Sequence, residues 1–340
     1  MKILVTGGAG FIGSNLSNYY LSKGHEVTVF DNLSRKGTEK NLEWLRSNHK
    51  KNLSFIKGDI RNFDSLLNAT KDADVILHTA AQVAVTTSVK NPMEDFEINA
   101  LGTFNVLEAA RQNNTDPIII FCSTNKVYGN NVNNIPVVEK EKRYEFSDPE
   151  FTDGIPEDFS TDANEHTPYG SSKYAADVFM RDFSAVYGMK TVTFRCSCIY
   201  GEHQQGCSDQ GWLDFMIRQA VKGELITIYG DGKQVRDILH ITDLIRTFEQ
   251  VIKNITKTKG QVYNIGGGPK NTISILELMN FLKNEFKLKI NYSFDNWRPF
   301  DQKVYISDIR KAKKEFDWSP QISKDAGIKR QYNWIISGSG

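Results

Sequence analysis

The stretch TGGAGFIG at Thr6–Gly13 decides the fold that this sequence predicts. Gly7, Gly10 and Gly13 give the spacing G-x-x-G-x-x-G, one residue looser than the usual dinucleotide-binding pattern. Glycine lets the backbone approach a pyrophosphate, and the N-terminal N–H groups of a following helix can bind it. The stretch therefore predicts a cofactor-binding turn between a strand and a helix. We expect these of its residues to contact the cofactor: Gly7, Gly10, Phe11, Ile12 and Gly13.

Apolar runs and helical patterns alternate around that turn, which is typical of a doubly wound α/β fold. The apolar runs are nearly continuous, which indicates parallel strands covered on both faces. The predicted strands are Ile3–Thr6, Glu26–Phe30, Asn52–Ile56, Val75–His78, Ile118–Phe121 and Thr191–Phe194. The predicted helices are Ser14–Lys23, Phe63–Thr70, Glu94–Gln112 and Ser172–Tyr187. We expect a Rossmann-type domain over residues 1–190, to which part of 191–260 returns, and a smaller α/β substrate domain over 191–336.

An acidic residue ends the second predicted strand, where dinucleotide-binding folds hold a ribose. Asp31 lies 24 residues after Gly7, and its carboxylate could accept hydrogen bonds from the ribose hydroxyls. A carboxylate repels a 2′-phosphate, so NAD is the predicted cofactor, although Arg35 could serve the phosphate of NADP. A turn residue or helix cap is the alternative for Asp31. Further predicted cofactor contacts are Asn32, Arg35, Asp59 and Ile60, the last two beside the adenine. A simple strand-end acid is the alternative for Asp59.

Composition and charge exclude several classes of partner. The 340 residues carry a formal net charge of +1, so neither nucleic acid nor an anionic membrane is expected. No apolar run approaches the ~20 residues of a membrane span. The four cysteines have no metal-ligand spacing and no accompanying His cluster. We therefore expect free thiols in a reducing compartment, a cytoplasmic location and no metal.

A second pattern, Tyr169-x-x-x-Lys173, indicates proton transfer during a redox reaction. Residues four apart share one face of a helix. A tyrosine hydroxyl ionises with a pKa of ~10, and an ammonium beside it lowers that pKa because it stabilises the phenolate. The pair could thus take a proton from a substrate hydroxyl, with Thr124 as a hydrogen-bond partner.

The motifs together resemble the extended short-chain dehydrogenase/reductase family, from residue 1 to about 320. Beyond the glycine turn and the Tyr–Lys pair, the matching segments are His78–Ala81, Asn99, Ser123–Thr124, Val127–Gly129, Gly230–His240, Asn264–Gly267 and Arg298–Asp301. Other segments resemble the branch that inverts carbon 2 of a CDP-3,6-dideoxyhexose, CDP-paratose to CDP-tyvelose: Asp31–Gly37, Gln82–Ser88, Asp95–Asn99, Ser123–Lys126 and Asp209–Trp212.

The resemblance implies roles for individual residues. Thr124 would hydrogen-bond the reacting hydroxyl, Tyr169 would be the base, and Lys173 would bind the nicotinamide ribose. Further cofactor contacts would be Ala80, Gln82, Asn99 and Ser123. Substrate contacts would be Gln82, Thr86, Thr124, Asn125, Cys198, Arg236 and Arg298, with the arginines on the diphosphate unless they form surface ion pairs. The resemblance also implies a tightly bound, recycled NAD, a CDP-sugar substrate, and a homo-oligomer, either dimer or tetramer.

Two residues after Thr124 decide between the reactions of this family. Nucleotide-sugar 4,6-dehydratases usually carry Asp-Glu there, and related decarboxylases usually carry Glu before Val-Tyr-Gly. Asn125 and Lys126 occupy these positions, which disfavours both reactions. Familiar 4-epimerases have Asn where this chain has Cys198. An epimerase or a simple dehydrogenase remains, and of these the resemblance implies the 2-epimerase. Another nucleotide-sugar epimerase, a dehydrogenase or reductase, and a non-enzymatic binding module stay open.

A long polar segment, Asn130–Asn164, separates the two patterns. It is too long for an ordinary connection, so we predict an irregular substrate-side insert or lid, with a surface loop of no function as the alternative. His78 and His240 are expected to be packing or hydrogen-bonding residues.

Overall fold

The computed structural model describes residues 1–298 and 300–338. They divide into two compact units, the first made of Met1–Val127, Pro168–Arg195 and Ile245–Tyr263, and the second of Tyr128–Thr167, Cys196–Leu244 and the chain from Asn264 onward.

The strands are β1 (Lys2–Thr6), β2 (Glu26–Asp31), β3 (Leu53–Lys57), β4 (Val75–His78), β5 (Ile118–Thr124), β6 (Val137–Glu139), β7 (Tyr144–Phe146), β8 (Lys190–Cys196), β9 (Cys198–Tyr200), β10 (Ile226–Tyr229), β11 (Val235–His240), β12 (Val262–Ile265), β13 (Thr272–Ser274), β14 (Tyr292–Asp295) and β15 (Val304–Tyr305). The α-helices are α1 (Phe11–Ser22), α2 (Thr38–Asn48), α3 (Phe63–Thr70), α4 (Val85–Lys90), α5 (Pro92–Phe96), α6 (Gly102–Asn113), α7 (Pro168–Tyr187), α8 (Trp212–Lys222), α9 (Ile241–Lys253), α10 (Ile255–Thr258), α11 (Ile275–Phe286), α12 (Arg310–Phe316) and α13 (Lys324–Ile336).

The first unit is built on a sheet with the strand order β12-β8-β5-β4-β1-β2-β3. Strand β1 pairs in parallel with β2 and with β4, so that Thr6 lies opposite both Phe30 and His78. The order reverses at β1, and the crevice at the carboxyl ends of β1 and β4 is where such folds bind ligands. The predicted Rossmann-type fold is confirmed.

The apolar runs of the strands are buried as the sequence predicts, except in the edge strand β3, which has no buried residue. Every residue of β4 is buried, and Leu4, Ile76 and Ile119 form one core cluster with residues of α6 and α7. Burial of such side chains is worth about 1.5–3 kcal/mol each, so this sheet is a rigid base for the loops at its edge.

The predicted single helix Glu94–Gln112 is wrong in its middle. Helix α5 passes into a π-helical segment, Glu97–Leu101, before α6 begins. The hydroxyl of Thr103 donates to the carbonyl oxygen of Asn99, within this segment, over 2.6 Å. An amphipathic pattern does not reveal one extra residue in a turn. Such segments occur frequently at functional sites.

The second unit has its own sheet and core. Strand β11 pairs in parallel with β9 and β15 and antiparallel with β13. A separate pair, β10 and β14, is parallel. Buried side chains of α8, α11 and α13 complete one cluster with these strands, including Ile217, Leu282 and Ile328. Within residues 1–298 and 300–338, no helix has the length and apolar character needed to cross a membrane.

The segment 130–164 is more ordered than the sequence predicts. It contains the antiparallel hairpin β6–β7 and is tied to the second unit by side-chain and backbone bonds. The hydroxyl of Tyr144 donates to Asp231 over 2.5 Å, and Arg143 forms an ion pair with Glu277 at 3.2 Å. The backbone N–H of Ile155 donates to the Ile306 carbonyl over 2.7 Å. The expected irregular loop is therefore replaced by a segment that packs as part of the second unit.

Candidate active site

The glycine turn fits closely between β2 and the loop after β4. The N–H of Gly7 donates to the Phe30 carbonyl over 2.8 Å. Gly7 has φ +67°, and a Cβ there would lie 2.6 Å from the backbone nitrogen of Ala80. A Cβ on Gly13 would collide with the Gly7 carbonyl oxygen. Bare backbone is thus required at the turn, and Ala80, a predicted cofactor contact, lies directly against it.

Asp31 is held at the tip of β2 by the same turn. Its two carboxylate oxygens accept the N–H of Ala9 over 3.0 Å and the N–H of Leu33 over 2.8 Å. Burial raises the pKa of Asp31, and these backbone donors, with Gly10, oppose the rise. The carboxylate is therefore fixed in direction and keeps acceptor capacity for a pair of hydroxyls.

The predicted adenine-side residues form a small network beside Asp31. Asn32 donates to Asp59 over 2.9 Å, and Arg61 makes a 2.8 Å ion pair with Asp59. Hydrogen bonding from Arg61 lowers the pKa of Asp59 to about 2. Ile60 is buried, with its side chain against Gly102, and Arg35 is exposed just before α2. Asp59 thus serves a structural ion pair, and Asn32 is tied to the same carboxylate.

Tyr169 and Lys173 lie in the first turns of α7, which packs against β5. The ammonium of Lys173 donates to the Cys122 carbonyl over 2.6 Å and lies 4.1 Å from the centroid of the Phe121 ring. Lys173 is only 2% exposed, so its charge acts in a low-dielectric setting. The backbone N–H of Tyr169 donates to the Ser88 hydroxyl over 3.1 Å. These contacts fix the first turns of α7 against β5 and α4.

Thr124 ends β5 and begins the turn that the sequence singled out. Its hydroxyl donates to the Asn125 amide oxygen over 3.3 Å and accepts the backbone N–H of Lys126 over 3.2 Å. Thr124 and Asn125 are both buried. Cys122, two residues before Thr124 on the same strand, is the residue whose carbonyl accepts the Lys173 ammonium, which connects the end of β5 to the start of α7.

Two predicted site residues have a buried side-chain hydroxyl for which the described residues supply no hydrogen-bond partner. The Oγ atoms of Ser123 and Thr86 have no hydrogen-bond partner within the described part of the chain. Buried polar atoms are nearly always hydrogen-bonded in native proteins, so each such atom needs an explanation. Ser123 lies near the carboxyl end of β5, and Thr86 lies on α4, which follows β4. Ligands of this fold bind at the carboxyl edge of the sheet, where one would supply the missing partner.

Gln82 and Asn99, by contrast, already bond to each other. The amide of Asn99 accepts the N–H of Gln82 and donates to its carbonyl, each over 3.0 Å. The side chain of Gln82 donates to Asp95 over 2.7 Å and to the Ala84 carbonyl over 2.9 Å. These bonds shape the loop after β4, and they leave Gln82 one acceptor lone pair for a ligand.

Asp95 is a residue of this site that the sequence reasoning did not assign. It is fully buried on α5 and accepts the hydroxyl of Ser172 over 2.5 Å, in the turn between Tyr169 and Lys173. The sequence signals for it are the segment Asp95–Asn99, which carries part of the resemblance, and the spacing Asp95-x-x-x-Asn99, which places both side chains on one helix face.

The histidine at the end of β4 is structural, as predicted. His78 is fully buried, with ring nitrogens 2.6 Å from the Thr6 hydroxyl and 3.0 Å from the Thr103 hydroxyl. Burial and the nearby Lys173 cation lower the pKa of His78 to about 3. The ring is therefore neutral and braces β1 against α6.

The second unit contains the other predicted substrate residues. Arg236 on β11 makes a 2.6 Å ion pair with Asp301. Arg298 lies 4.1 Å from the centroid of the Tyr229 ring and donates to the Ser208 carbonyl over 2.8 Å. The thiol of Cys198 accepts the indole N–H of Trp212 over 3.3 Å. In the same unit, His240 is buried beside Thr242 at 3.1 Å and Glu202 at 3.4 Å, a hydrogen-bonding role as predicted.

Comparison with known proteins places the whole chain in one family. The model of the GDP-mannose 4,6-dehydratase family matches residues 4–331. The chain belongs to this family. A CDP-paratose 2-epimerase from Salmonella typhi is similar over 99% of this chain and 100% of its own length, at 43% identity. This membership in the GDP-mannose 4,6-dehydratase family confirms the predicted resemblance and the prediction of an enzyme related to epimerases.

Solved structures of similar chains include two epimerases. A UDP-glucose 4-epimerase from Thermotoga maritima, solved with UDP-glucose, has a TM-score of 0.85 at 28% identity and covers 100% of both chains. A UDP-glucuronic acid 4-epimerase from Bacillus cereus, solved with UDP-glucuronic acid and NAD, has a TM-score of 0.83 at 29% identity and covers 99% of both. Chains of this fold therefore include two whose names denote epimerases of UDP-sugars.

Proposed function

We propose that this chain is an NAD-dependent epimerase that inverts carbon 2 of a CDP-3,6-dideoxyhexose, converting CDP-paratose to CDP-tyvelose. The observation that carries the proposal is the turn after β5, where Asn125 and Lys126 follow Thr124 while Tyr169 and Lys173 lie in the first turns of α7. The proton-transfer groups are present, whereas an amide and a cation replace the carboxylates that would eliminate water. The substrate is supported by the CDP-paratose 2-epimerase that is 43% identical.

The residues at the edge of the first sheet fit NAD. The turn at Gly7 and Gly13 has no room for a Cβ, so only backbone lies at the start of α1, whose first N–H groups would bind a pyrophosphate. Asp31 would hold the adenosine ribose, and Lys173 and the unsatisfied hydroxyl of Ser123 would hold the nicotinamide side. NAD-bound relatives such as the Bacillus cereus epimerase support this choice of cofactor. When bound, NAD accepts a hydride from the sugar and returns it.

Tyr169 is the proposed base and acid of the reaction. Its phenolate takes the proton of the carbon 2 hydroxyl while that carbon becomes a carbonyl, and Thr124 hydrogen-bonds the same oxygen. The 2-keto sugar then presents its other face, and Tyr169 returns the proton. A 3,6-dideoxyhexose has no hydroxyl on carbon 3, so a 3-keto intermediate cannot form and oxidation must occur at carbon 2 itself.

In the second unit, Arg236 and Arg298 are the proposed ligands of the diphosphate. The ion pair with Asp301 orients Arg236, and the Tyr229 ring supports the guanidinium plane of Arg298. A guanidinium fork suits phosphate oxygens. Asn125 and Cys198 are the proposed neutral contacts of the sugar nucleotide.

The proposal is tested by incubating the NAD-loaded protein with CDP-, UDP-, GDP- and dTDP-sugars in ²H₂O. We expect the carbon 2 epimer of CDP-paratose, no net NADH and no deuterium at carbon 2, because the hydride does not exchange with solvent. Deuterium at carbon 2 would refute direct oxidation there. Turnover of UDP-glucose would instead favour the second candidate, a 4-epimerase, which the similarity to the Thermotoga maritima structure supports.

Replacing Thr86 by valine should weaken substrate binding without loss of stability. The Thr86 hydroxyl has no partner within the described residues, so its removal breaks no hydrogen bond seen in the structure. If the sugar supplies the hydrogen-bond partner of Thr86, KM should rise about 3- to 10-fold, which corresponds to the net free energy of one neutral hydrogen bond. Thr193→Val is the matched control, because Thr193 on β8 also has a buried hydroxyl without a partner in the described chain. Equal KM values for both variants would remove Thr86 from the site.

The apolar side chains exposed on the first unit support a homo-oligomer. The α4–α7 region exposes Val89, Met93, Phe96, Leu101, Phe104, Val186 and Tyr187. Phe104 and Tyr187 both contact Phe183, at ring distances of 5.7 and 5.1 Å, so these residues on α6 and α7 are linked. An apolar surface of this kind marks an interaction site. Light scattering should give the mass of a dimer or tetramer, and a monomeric mass at working concentration would contradict the proposal.

A further inference from the structure

Three hydrogen-bond donors converge on the buried carboxylate of Asp95. They are the side-chain amide of Gln82 at 2.7 Å, the side-chain amide of Asn99 at 3.2 Å and the hydroxyl of Ser172 at 2.5 Å. Both amide orientations are set, since the oxygen of Gln82 accepts the Ala84 N–H and that of Asn99 accepts the Gln82 N–H. The two NH₂ groups must therefore point at Asp95, and an acceptor without protons suits this place.

Ser172 connects Asp95 to the turn that holds the proposed catalytic groups. It lies between Tyr169 and Lys173 in sequence, and its hydroxyl is also 3.1 Å from the Tyr169 carbonyl. Any shift of Asp95 is thus passed to the first turn of α7. The residue touches neither of the proposed reacting groups in the contacts above, so it acts through Ser172 and through its charge.

We propose that Asp95 is an anionic positioning residue, which fixes the Tyr169–Lys173 turn through Ser172 and holds the buried Lys173 in its ammonium form. The proposal rests on the proposed function, because it assigns Asp95 a task in that reaction. The proposal goes beyond the proposed function because it names a charged residue, Asp95, that the reaction needs although it contacts neither substrate nor cofactor.

The electrostatics around Asp95 are consistent with this task. Burial raises the pKa of Asp95, and the bonds from Ser172 and Gln82 and the charge of Lys173 oppose the rise. Of the ionisable groups on elements packed against α5, Lys90 on α4 is exposed and Glu97 on the π-helical segment pairs with Arg61. On α7, Tyr169 lies one turn before Lys173, and the buried Asp177 lies one turn after it but forms ion pairs with Arg195 and Arg181. His78, beside Lys173, is neutral. A buried carboxylate this close to a proposed active site is a costly feature, and such features concentrate at functional sites.

The Asp95→Asn variant distinguishes a charged Asp95 from a neutral side chain that only holds Ser172 in place by hydrogen bonds. An asparagine can donate to Ser172 and accept from Gln82, as a protonated Asp95 would, so it preserves a neutral brace and removes only the charge. We expect kcat to fall about 10²-fold with little change in KM, the usual effect of a small misplacement of catalytic groups. The alkaline limb of the kcat–pH profile should move about one unit or more to lower pH, because the buried ammonium loses its counter-charge.

Ser172→Ala is the matched control. It removes the bond to α7 but keeps the carboxylate, so kcat should fall while the alkaline limb stays in place. An Asp95→Asn variant with wild-type kcat, or one whose alkaline limb does not move, would overturn the proposal. Thermal unfolding and NAD content of both variants would show that they are folded.

A second measurement needs no turnover and so separates this proposal from the proposed function. The infrared difference spectrum between wild-type protein and Asp95→Asn at neutral pH should contain carboxylate bands. The carbonyl band of a protonated carboxyl group in their place would overturn the anionic role. If the wild type epimerises none of the sugars tested, the proposed function fails while the infrared result still decides the charge of Asp95.

Discussion

Tyr169→Phe will lower turnover about 10²- to 10⁴-fold, the usual contribution of a general acid–base group. The hydroxyl that takes the sugar proton is removed, while the ring, only 8% exposed, keeps its packing on α7. Binding of CDP and retention of NAD should be unchanged, since neither depends on that proton transfer. Single-turnover measurements on the NAD-loaded protein would place the loss in the chemical step.

Tyr128→Phe is the matched control for this experiment. Tyr128 is fully buried, and its hydroxyl donates to the Asn264 amide oxygen over 2.8 Å, within the second unit. Removing it leaves a buried acceptor unpaired, which should cost about 1–3 kcal/mol of stability with turnover preserved. The two variants should therefore show opposite patterns. Undiminished turnover in Tyr169→Phe would remove the tyrosine from the mechanism.

The sequence predicts the first unit well because its signals are local. The glycine turn, the buried apolar strands and Asp31 each depend on neighbours in sequence or on the next strand, and apart from the unburied edge strand β3 they lie where the pattern places them. The Tyr169–Lys173 spacing is equally local, since it needs only one helical turn. Such features follow from backbone geometry and hydrophobic periodicity alone.

The sequence fails where long-range contacts decide. Ser172 and Asp95 are 77 residues apart, and no local pattern announces that their side chains will meet. The π-helical segment before α6 is invisible for a related reason, since a single extra residue in a turn leaves the apolar spacing nearly unchanged. The hairpin β6–β7 is short, and its stability comes from contacts such as Tyr144 with Asp231 rather than from strand propensity. All three features depend on tertiary contacts, which a pattern in the sequence does not show.

Gly7→Ala should abolish NAD retention. Gly7 has φ +67°, which costs an alanine about 1–2 kcal/mol, and the new Cβ would lie 2.6 Å from the backbone nitrogen of Ala80. The atoms that the new Cβ would meet are backbone atoms, so the turn or the loop after β4 must move. The N–H groups that would face a pyrophosphate then lose their alignment. NAD released from the denatured, purified variant should fall to background, and turnover should fall with it.

Gly24→Ala separates the steric effect from backbone strain. Gly24 has φ +81°, and nothing lies within 4 Å of a Cβ built on it, so the substitution introduces the strain of a left-handed residue and no collision. We expect Gly24→Ala to lower the free energy of unfolding by about 1–2 kcal/mol and to retain full NAD content. If both variants keep NAD, the glycine turn is not the pyrophosphate site. If both lose it, general destabilisation of the first unit explains the effect. Loss in Gly7→Ala alone ties NAD to the close approach between this turn and Ala80.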